Sequence, residues 1–537
     1  MQLTLYKLRP DLHRRSWGLR TSAEKYVSVP TSSIDGIELE LRMRQSDPSA
    51  PRWLRDLMGI VVGDHLSLYL NRHSAALLLI RYAGHRFVLA YGTGRFAIDP
   101  SAVEPGFGLR VVANAVAATR VRSADTRGLG GRSRSQRTAM PSAGPLYELG
   151  IEPSEEWVRQ LEGVPALDFA NAAAGSDALK LKIRNFSLTR LPAKLDQIIE
   201  KYEAQDYKSE YEFLDYFARV RHDDVTLKRE LQDIVTSMLM DGGRDVDFAD
   251  PDVLEPLRID HYVLQHRSRI SEELDELNQP SVVRILADWD LEDPLREVKV
   301  HAFTSAGDTV TQVHPLLDYA VADFKHRNER FVLSAGQWFR VAADYVAEVQ
   351  QRIDAIPDVT NSLHLDRWNE GEDEGVYNDR IARSRGWALL DRSNFPVGGP
   401  NQKVEVCDIL TPNKEMLCVK RMSKSSTLSH LFSQGTVSAE LMAADLKGYR
   451  NRLVRSLKKL DRSATFGVRD DWTIVYAIAT DKPGPLADSL YFFSKVSLDQ
   501  AARRLSSFGF KVALARVETS KPKRRPRKRL LRARADV

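Results

Sequence analysis

The sequence predicts a multidomain α+β protein, with a mainly antiparallel α+β domain first, a helical middle region next and a C-terminal α/β domain on a mixed sheet. Three observations predict it. A chain of 537 residues exceeds one ordinary domain and fits roughly two to four. Short β-rich runs alternate with turns over the first hundred residues, whereas amphipathic helical spacing dominates 150–240. From residue 374 a polar helix, three short β-rich runs and an amphipathic helix follow one another, and strand, helix and strand complete the layer by 517.

In chain order, LTLYKL (3–8), GIELELRM (36–43), AALLLIRY (75–82) and RFVLAYG (86–92) read as strands, and Ala83-Gly84-His85 as a hairpin connection. This N-terminal domain is expected to span 1–120 and to close with a helix over 107–118. Residues 121–145 are expected to form an Arg/Gly/Ser-rich loop. Its segment VRSADTRGLGGRSRSQRT carries Arg122, Arg127, Arg132, Arg134 and Arg137, opposed only by Asp125. Guanidinium groups on a flexible loop grip phosphates bidentately and release counterions; a solvated surface loop is the competing interpretation. The loop has no aromatic residue, so base stacking is not implied.

The middle region, 146–360, shows helices in PAKLDQIIEKY (192–202), LKRELQDIVTSML (227–239) and ADYVAEVQQRIDAI (343–356), the last ended by Pro357. Between the first two, Tyr207, Tyr211, Phe213, Leu214, Tyr216 and Phe217 read as core packing. Asp223 and Asp224 beside His222 read as caps of the next helix. His301 on the strand VKVHAF reads as a core residue, and RFVLSAGQWFRV (330–341) as a hairpin turning at Ser334-Ala335-Gly336.

Within 361–518, charged residues interrupt apolar strands: Glu405 and Asp408 in KVEVCDIL (403–410), and Lys420 in EMLCVKRM (415–422). An unpaired charge there costs several kcal/mol, so each needs a partner. A divalent cation with a scissile phosphate would serve: carboxylates ligate the cation, and the lysine balances phosphate charge or positions a water. A structural Asp408–Lys420 pair across the strands is the alternative. The helical stretch 446–460 adds a basic face with Lys447, Arg450 and Arg455.

Composition bounds the rest. Hydrophobic residues make up 43% and charged residues 28%, enough for real cores. The formal net charge is +5, but nine of the basic residues and one Asp fall in 521–537, so the body is near neutral. That Pro-broken tail, with Lys523, Arg524 and Arg525, is expected to be disordered and to attract nucleic acid without sequence preference. The N-terminus lacks the apolar core of a signal peptide, and the longest aliphatic run, Ala75 to Ile80, is far short of the roughly 20 residues of a membrane helix. If Asp408 and Lys420 share a face, strand alternation puts Cys407 and Cys418 on opposite faces of neighbouring strands, which disfavours a disulfide, and no Cys/His set has zinc spacing. A soluble cytoplasmic protein without a membrane partner is expected.

The α-β-β-β-α order with these charges resembles the PD-(D/E)XK, restriction-endonuclease-like nuclease core. The resemblance implies that Glu374 is the helix acid, Asp408 the central metal ligand, Lys420 the catalytic lysine and Gln434 an auxiliary residue. One position departs from the pattern: Cys418 stands where an acid precedes the lysine by two residues, and a thiol is a poor magnesium ligand. Glu405 or Glu440 would have to replace it. A second resemblance, carried by FGLRVVANAV, RFVLSAGQWF, VEVCDILT, VKRMSKSSTLSHLFSQGTVSAEL and YFFSKVSL, is to a bacterial family called "sporadically distributed". It implies a mobile-element or phage-defence setting and supplies no activity. The expectation is therefore a nucleic-acid-binding protein, DNA before RNA, that cuts phosphodiesters with Mg2+ held by Asp408, Glu405 and Glu374. A homo-oligomer is compatible with this pattern. The alternative is a non-catalytic sensor or blocking factor on an inactive nuclease-like fold.

Overall fold

Leu3, Leu5, Ile80, Phe87, Leu89, Leu179 and Leu181 occur at alternate or paired positions of short runs, and antiparallel pairing collects them into one buried cluster. The computed structural model describes residues 1–519 except 14–15, 52–53, 58–59, 62–67, 130–134, 153–155, 222, 242–245, 252–258, 304–312, 392–393, 397–402, 423–424 and 446–447. Contacts divide the chain into two units, Met1–Gly128 with Arg134–Thr226, and Leu129–Ser133 with Leu227–Val537. No helix among the described residues is long and apolar enough to cross a membrane.

The first unit is built on a ten-stranded antiparallel sheet. Its first strand, Gln2–Lys7, is internal: it pairs with His85–Gly92 on one side and Ala178–Lys182 on the other. That pairing is why the sheet does not end near residue 120. Phe107, Val111 and Val112 of the helix Phe107–Ala115 pack into the same cluster, as do Leu195 and Ile198 of the helix Leu191–Glu203. The contact is so close that a Cβ on Gly108 would overlap the Ala178 carbonyl. Tyr207 and Tyr211 belong to this core, as the sequence predicts, and the Tyr211 hydroxyl donates to the Val116 carbonyl at 2.9 Å.

The Arg-rich segment is a correction. It is two strands rather than a loop, Val121–Gly128 and Ser135–Gly144, which pair with each other while the first also pairs with Glu156–Gly163. The physical reason is that Val121, Ser123, Ala124 and Thr126 supply buried positions on both faces of the strand, which outweighs the polar, Arg-rich composition of the segment.

In the second unit, Ala320–His326, Glu329–Ser334 and Gln337–Val341 form consecutive antiparallel strands. The hairpin predicted at 334–336 is present, with Ala335 at φ 48° and Gly336 at φ 66°, the left-handed pair that a two-residue turn requires. His301 stacks beside Phe303 with the rings 6.2 Å apart, and burial lowers its pKa.

The C-terminal layer runs α1 (Glu374–Arg385), β1 (Ala388–Leu389), β2 (Ile409–Leu410), β3 (Glu415–Arg421), α2 (Ser425–Ala444), α3 (Tyr449–Leu457), β4 (Thr473–Thr480), α4 (Phe492–Ser507) and β5 (Lys511–Glu518). The sheet order is β1–β2–β3–β4–β5. The first three strands are antiparallel, and β3, β4 and β5 are parallel. Leu417 and Val419 of β3 share one buried face with Val475, Ala477, Ala513 and Ala515, covered by Tyr377 and Ile381 of α1. On the opposite face, Tyr476 donates to the Phe432 carbonyl of α2 at 3.0 Å. The run 403–410, predicted as one strand, is split: Lys403–Glu405 pairs with Asn394–Pro396, and only Ile409–Leu410 joins the main sheet.

Candidate functional site

The start of α1 is fixed by several local bonds. Asp373 caps it, its carboxylate accepting from the Val376 N–H at 2.9 Å. Arg380 donates to both carboxylate oxygens of Glu372, at 2.7 and 2.9 Å, and this guanidinium holds the Glu372 carboxyl below the usual range. Trp368 stacks on Tyr377 with centroids 4.3 Å apart and donates through Nε1 to the Glu372 carbonyl. Glu374 is the first residue of the helix so anchored.

Lys420, the last residue but one of β3, donates from Nζ to Glu374 Oε1 at 2.8 Å. The pair is half-exposed, at 30% and 35% for the two side chains, so water and an incoming anion can reach it. Asp408 is 3% exposed. Its Oδ2 accepts from the Val419 N–H at 2.6 Å, and its own N–H donates to the Leu417 carbonyl at 2.9 Å. The two β2–β3 register pairs set it opposite Cys418.

Strand direction gathers these residues. β1 and β3 run the same way and β2 runs against them, so the end of β1, the start of β2 and the end of β3 meet at one sheet edge. It is the carboxyl edge of the parallel strands, where ligands of open α/β sheets bind. Two residues that sequence reasoning missed lie here. The N–H groups of Leu390 and Asp391 both donate to the Asp408 carbonyl, at 2.8 and 3.0 Å. Asn378, one turn beyond Glu374, is fully buried and donates through Nδ2 to Asp391 Oδ2 at 3.4 Å. The available signals were an Asp just after a short strand and an Asn at i+4 from the helix acid.

The other predicted residues are placed as follows, where the structure describes them. Glu440 forms an ion pair with Arg504 of α4. Glu405 ends the separate two-stranded ribbon opposite Asn394, and its side chain lies outside the described residues. Gln434 sits half-buried in the middle of α2. Cys418 and Cys407 are buried and form no disulfide. Of the basic residues, Arg127 is buried in the N-terminal sheet, Arg137 pairs with Asp125 at 3.4 Å, and exposed Arg122 reaches the Pro141 carbonyl. Arg450 donates to the Met442 and Ala443 carbonyls and lies over the Phe466 ring, which makes it a helix-end clamp. Arg455 is exposed and donates to the Asn451 carbonyl. Arg132, Arg134, Lys447, Lys523, Arg524 and Arg525 lie outside the described residues.

Among the described residues no group of three or more His, Cys, Asp or Glu is placed to hold a metal ion. The donor chemistry of the edge nevertheless suits a hard cation. Asp408, Glu374 and Asp391 offer carboxylates, and no described donor reaches the buried Oδ1 of Asn378, an acceptor that a cation would satisfy. The Cys418 thiol is not such a donor.

The sequence pattern of a family described as a family of unknown function (DUF6119) matches residues 3–518. No curated protein and no solved structure matches the chain.

Proposed function

Because the chain belongs to the DUF6119 family, whose function is unknown, we propose its function from the site alone: a nucleic-acid-binding protein whose C-terminal layer hydrolyses phosphodiesters in the manner of the PD-(D/E)XK nucleases. The observation that carries this reading is the 2.8 Å contact between Lys420 and Glu374, 46 positions apart in the chain, beside a buried Asp408 bonded to the residue before Lys420. Support also comes from the order of helix, three antiparallel strands, helix and parallel strand.

Asp408 and Glu374 would hold the divalent cation, which when bound acidifies a water and polarises the phosphoryl oxygens. Asp408 is suited to this by a carboxylate that Val419 holds still. The Lys420 ammonium, exchanging Glu374 for an arriving phosphate, balances charge that builds on the non-bridging oxygens or orients the attacking water. A half-exposed ion pair of this kind costs only about 0–1 kcal/mol to open. The substrate is DNA before RNA, with the basic tail adding sequence-independent attraction. A phage-defence or mobile-element setting belongs to the same proposal. The second reading, a non-catalytic sensor or blocking factor, is favoured by one observation: a fully buried thiol, Cys418, occupies the position of an acid.

The test is incubation of plasmid DNA, single-stranded DNA and RNA with the full chain and Mg2+ or Mn2+, beside folded Asp408→Ala and Lys420→Ala variants. Metal-dependent cutting lost in both variants is the expected result. Salt-sensitive binding without cutting would replace this reading with the non-catalytic one.

A further inference from the structure

The acid missing at position 418 leaves the sheet edge one oxygen ligand short. We propose that Asn378 and Asp391 supply it, forming beside Asp408 a site for a hard divalent cation. The proposal deepens the phosphodiester reading and rests on it.

Asn378 is fully buried, yet no described donor reaches its Oδ1. Buried side-chain oxygens in native proteins nearly always have a partner, so an orphan asks what belongs there. Exchanging the amide nitrogen and oxygen does not cure it. That orientation would point Oδ1 at the Asp391 carboxylate, acceptor against acceptor, and strand Nδ2 instead. Nδ2 faces Asp391 Oδ2, so the orphan oxygen lies at the same end of the side chain as a carboxylate. No ion pair to Asp391 is formed among the described residues, and it is half-buried.

A cation satisfies both groups at once, since a carbonyl and a carboxylate oxygen are the donors that magnesium and manganese take. The position is also tied to the centre. Two N–H groups, from Leu390 and Asp391, hold the Asp408 carbonyl, so the main chain of Asp391 is tied to that of Asp408. Magnesium sites that act on phosphates commonly use one or two carboxylates and complete the shell with water and phosphate oxygens. Asn378 and Asp391 therefore relocate the missing ligand from β3 to α1 and the segment just after β1.

The test is Mn2+ titration of the full chain, reading free Mn2+ by electron paramagnetic resonance, for the parent, Asp391→Asn and Asn378→Leu. At least tenfold weaker Mn2+ binding in both variants is expected, together with loss of the rise in Tm that Mn2+ gives the parent. Asp391→Asn is isosteric and carries the test alone if Asn378→Leu fails to fold. Equal Mn2+ affinity in parent and Asp391→Asn overturns the site, as does a folded parent that binds no Mn2+. The two readings separate cleanly: Mn2+ binding lost in Asp391→Asn by a protein that cuts nothing keeps the site and removes the nuclease reading. Cutting by a parent whose Mn2+ affinity survives Asp391→Asn does the reverse.

Discussion

Lys420 and Glu374 touch through atoms that are about one-third exposed, which separates their chemical from their structural weight. An exposed ion pair is worth about 0–1 kcal/mol. Lys420→Ala and Glu374→Gln are therefore predicted to shift urea unfolding by less than about 1 kcal/mol while lowering cleavage by roughly a hundredfold or more. Asp408 differs. Its carboxylate is buried and accepts the Val419 N–H, so Asp408→Ala leaves a donor in the interior unmet. A loss of about 2–3 kcal/mol in unfolding free energy is expected from the same urea titration. The charged residues of the C-terminal strands were legible in the sequence, because a charge inside an apolar strand stands out. Asn378 and Asp391 were not legible, since a polar residue on a helix or after a strand is ordinary until its burial is known.

At the scale of elements, the fit of α2 against β4 turns on Gly435. A Cβ there would lie 2.6 Å from the Tyr476 hydroxyl and 3.0 Å from Ile474 Cγ2. Tyr476 is fully buried and bonded to the Phe432 carbonyl, so it has nowhere to retreat. Gly435→Ala is predicted to cost about 1–3 kcal/mol, measured as a lowered urea midpoint, with secondary structure by circular dichroism unchanged in water. Elements with strong periodicity were legible: TIVYAIAT is β4 residue for residue, and the Ala83-Gly84 turn follows from the positive φ that both residues adopt. The run 403–410 misled because one alternating pattern serves two ribbons, and the change of pairing partner at 406–408 leaves no mark on hydrophobicity.

For the molecule as a whole, one buried and one half-buried phenol of the first unit, Tyr207 and Tyr202, add sensitivity to high pH. Burial first, with Glu104 and Asp215 as neighbours, pushes Tyr202 and Tyr207 up to about 12. An unfolded tyrosine ionises near pH 10. The folded protein thus keeps protons that the unfolded chain gives up, and the stabilisation is complete below about pH 10 and lost as pH rises through 12. Absorbance at 295 nm is expected to lag behind free tyrosine and to rise together with loss of the circular dichroism signal. Charge acts at this scale too. Removing 521–537 deletes nine cations and one anion, and is predicted to weaken DNA binding at low salt and to flatten the dependence of log affinity on log salt. Titration of a fluorescent duplex at several salt concentrations measures it.

The sequence by itself determined the type of most elements and the α-β-β-β-α order of the C-terminal layer, because these depend on local periodicity, whereas the contact of Lys420 with Glu374, 46 positions away, is made only by the fold. Tertiary structure alone decided that the first strand is internal to a ten-stranded sheet, that the Arg-rich segment is paired strands with Arg127 buried, and that Asn378 and Asp391 meet beside Asp408. Each of these rests on which strand pairs with which, a choice made by burial summed over distant segments and therefore absent from any window of the chain.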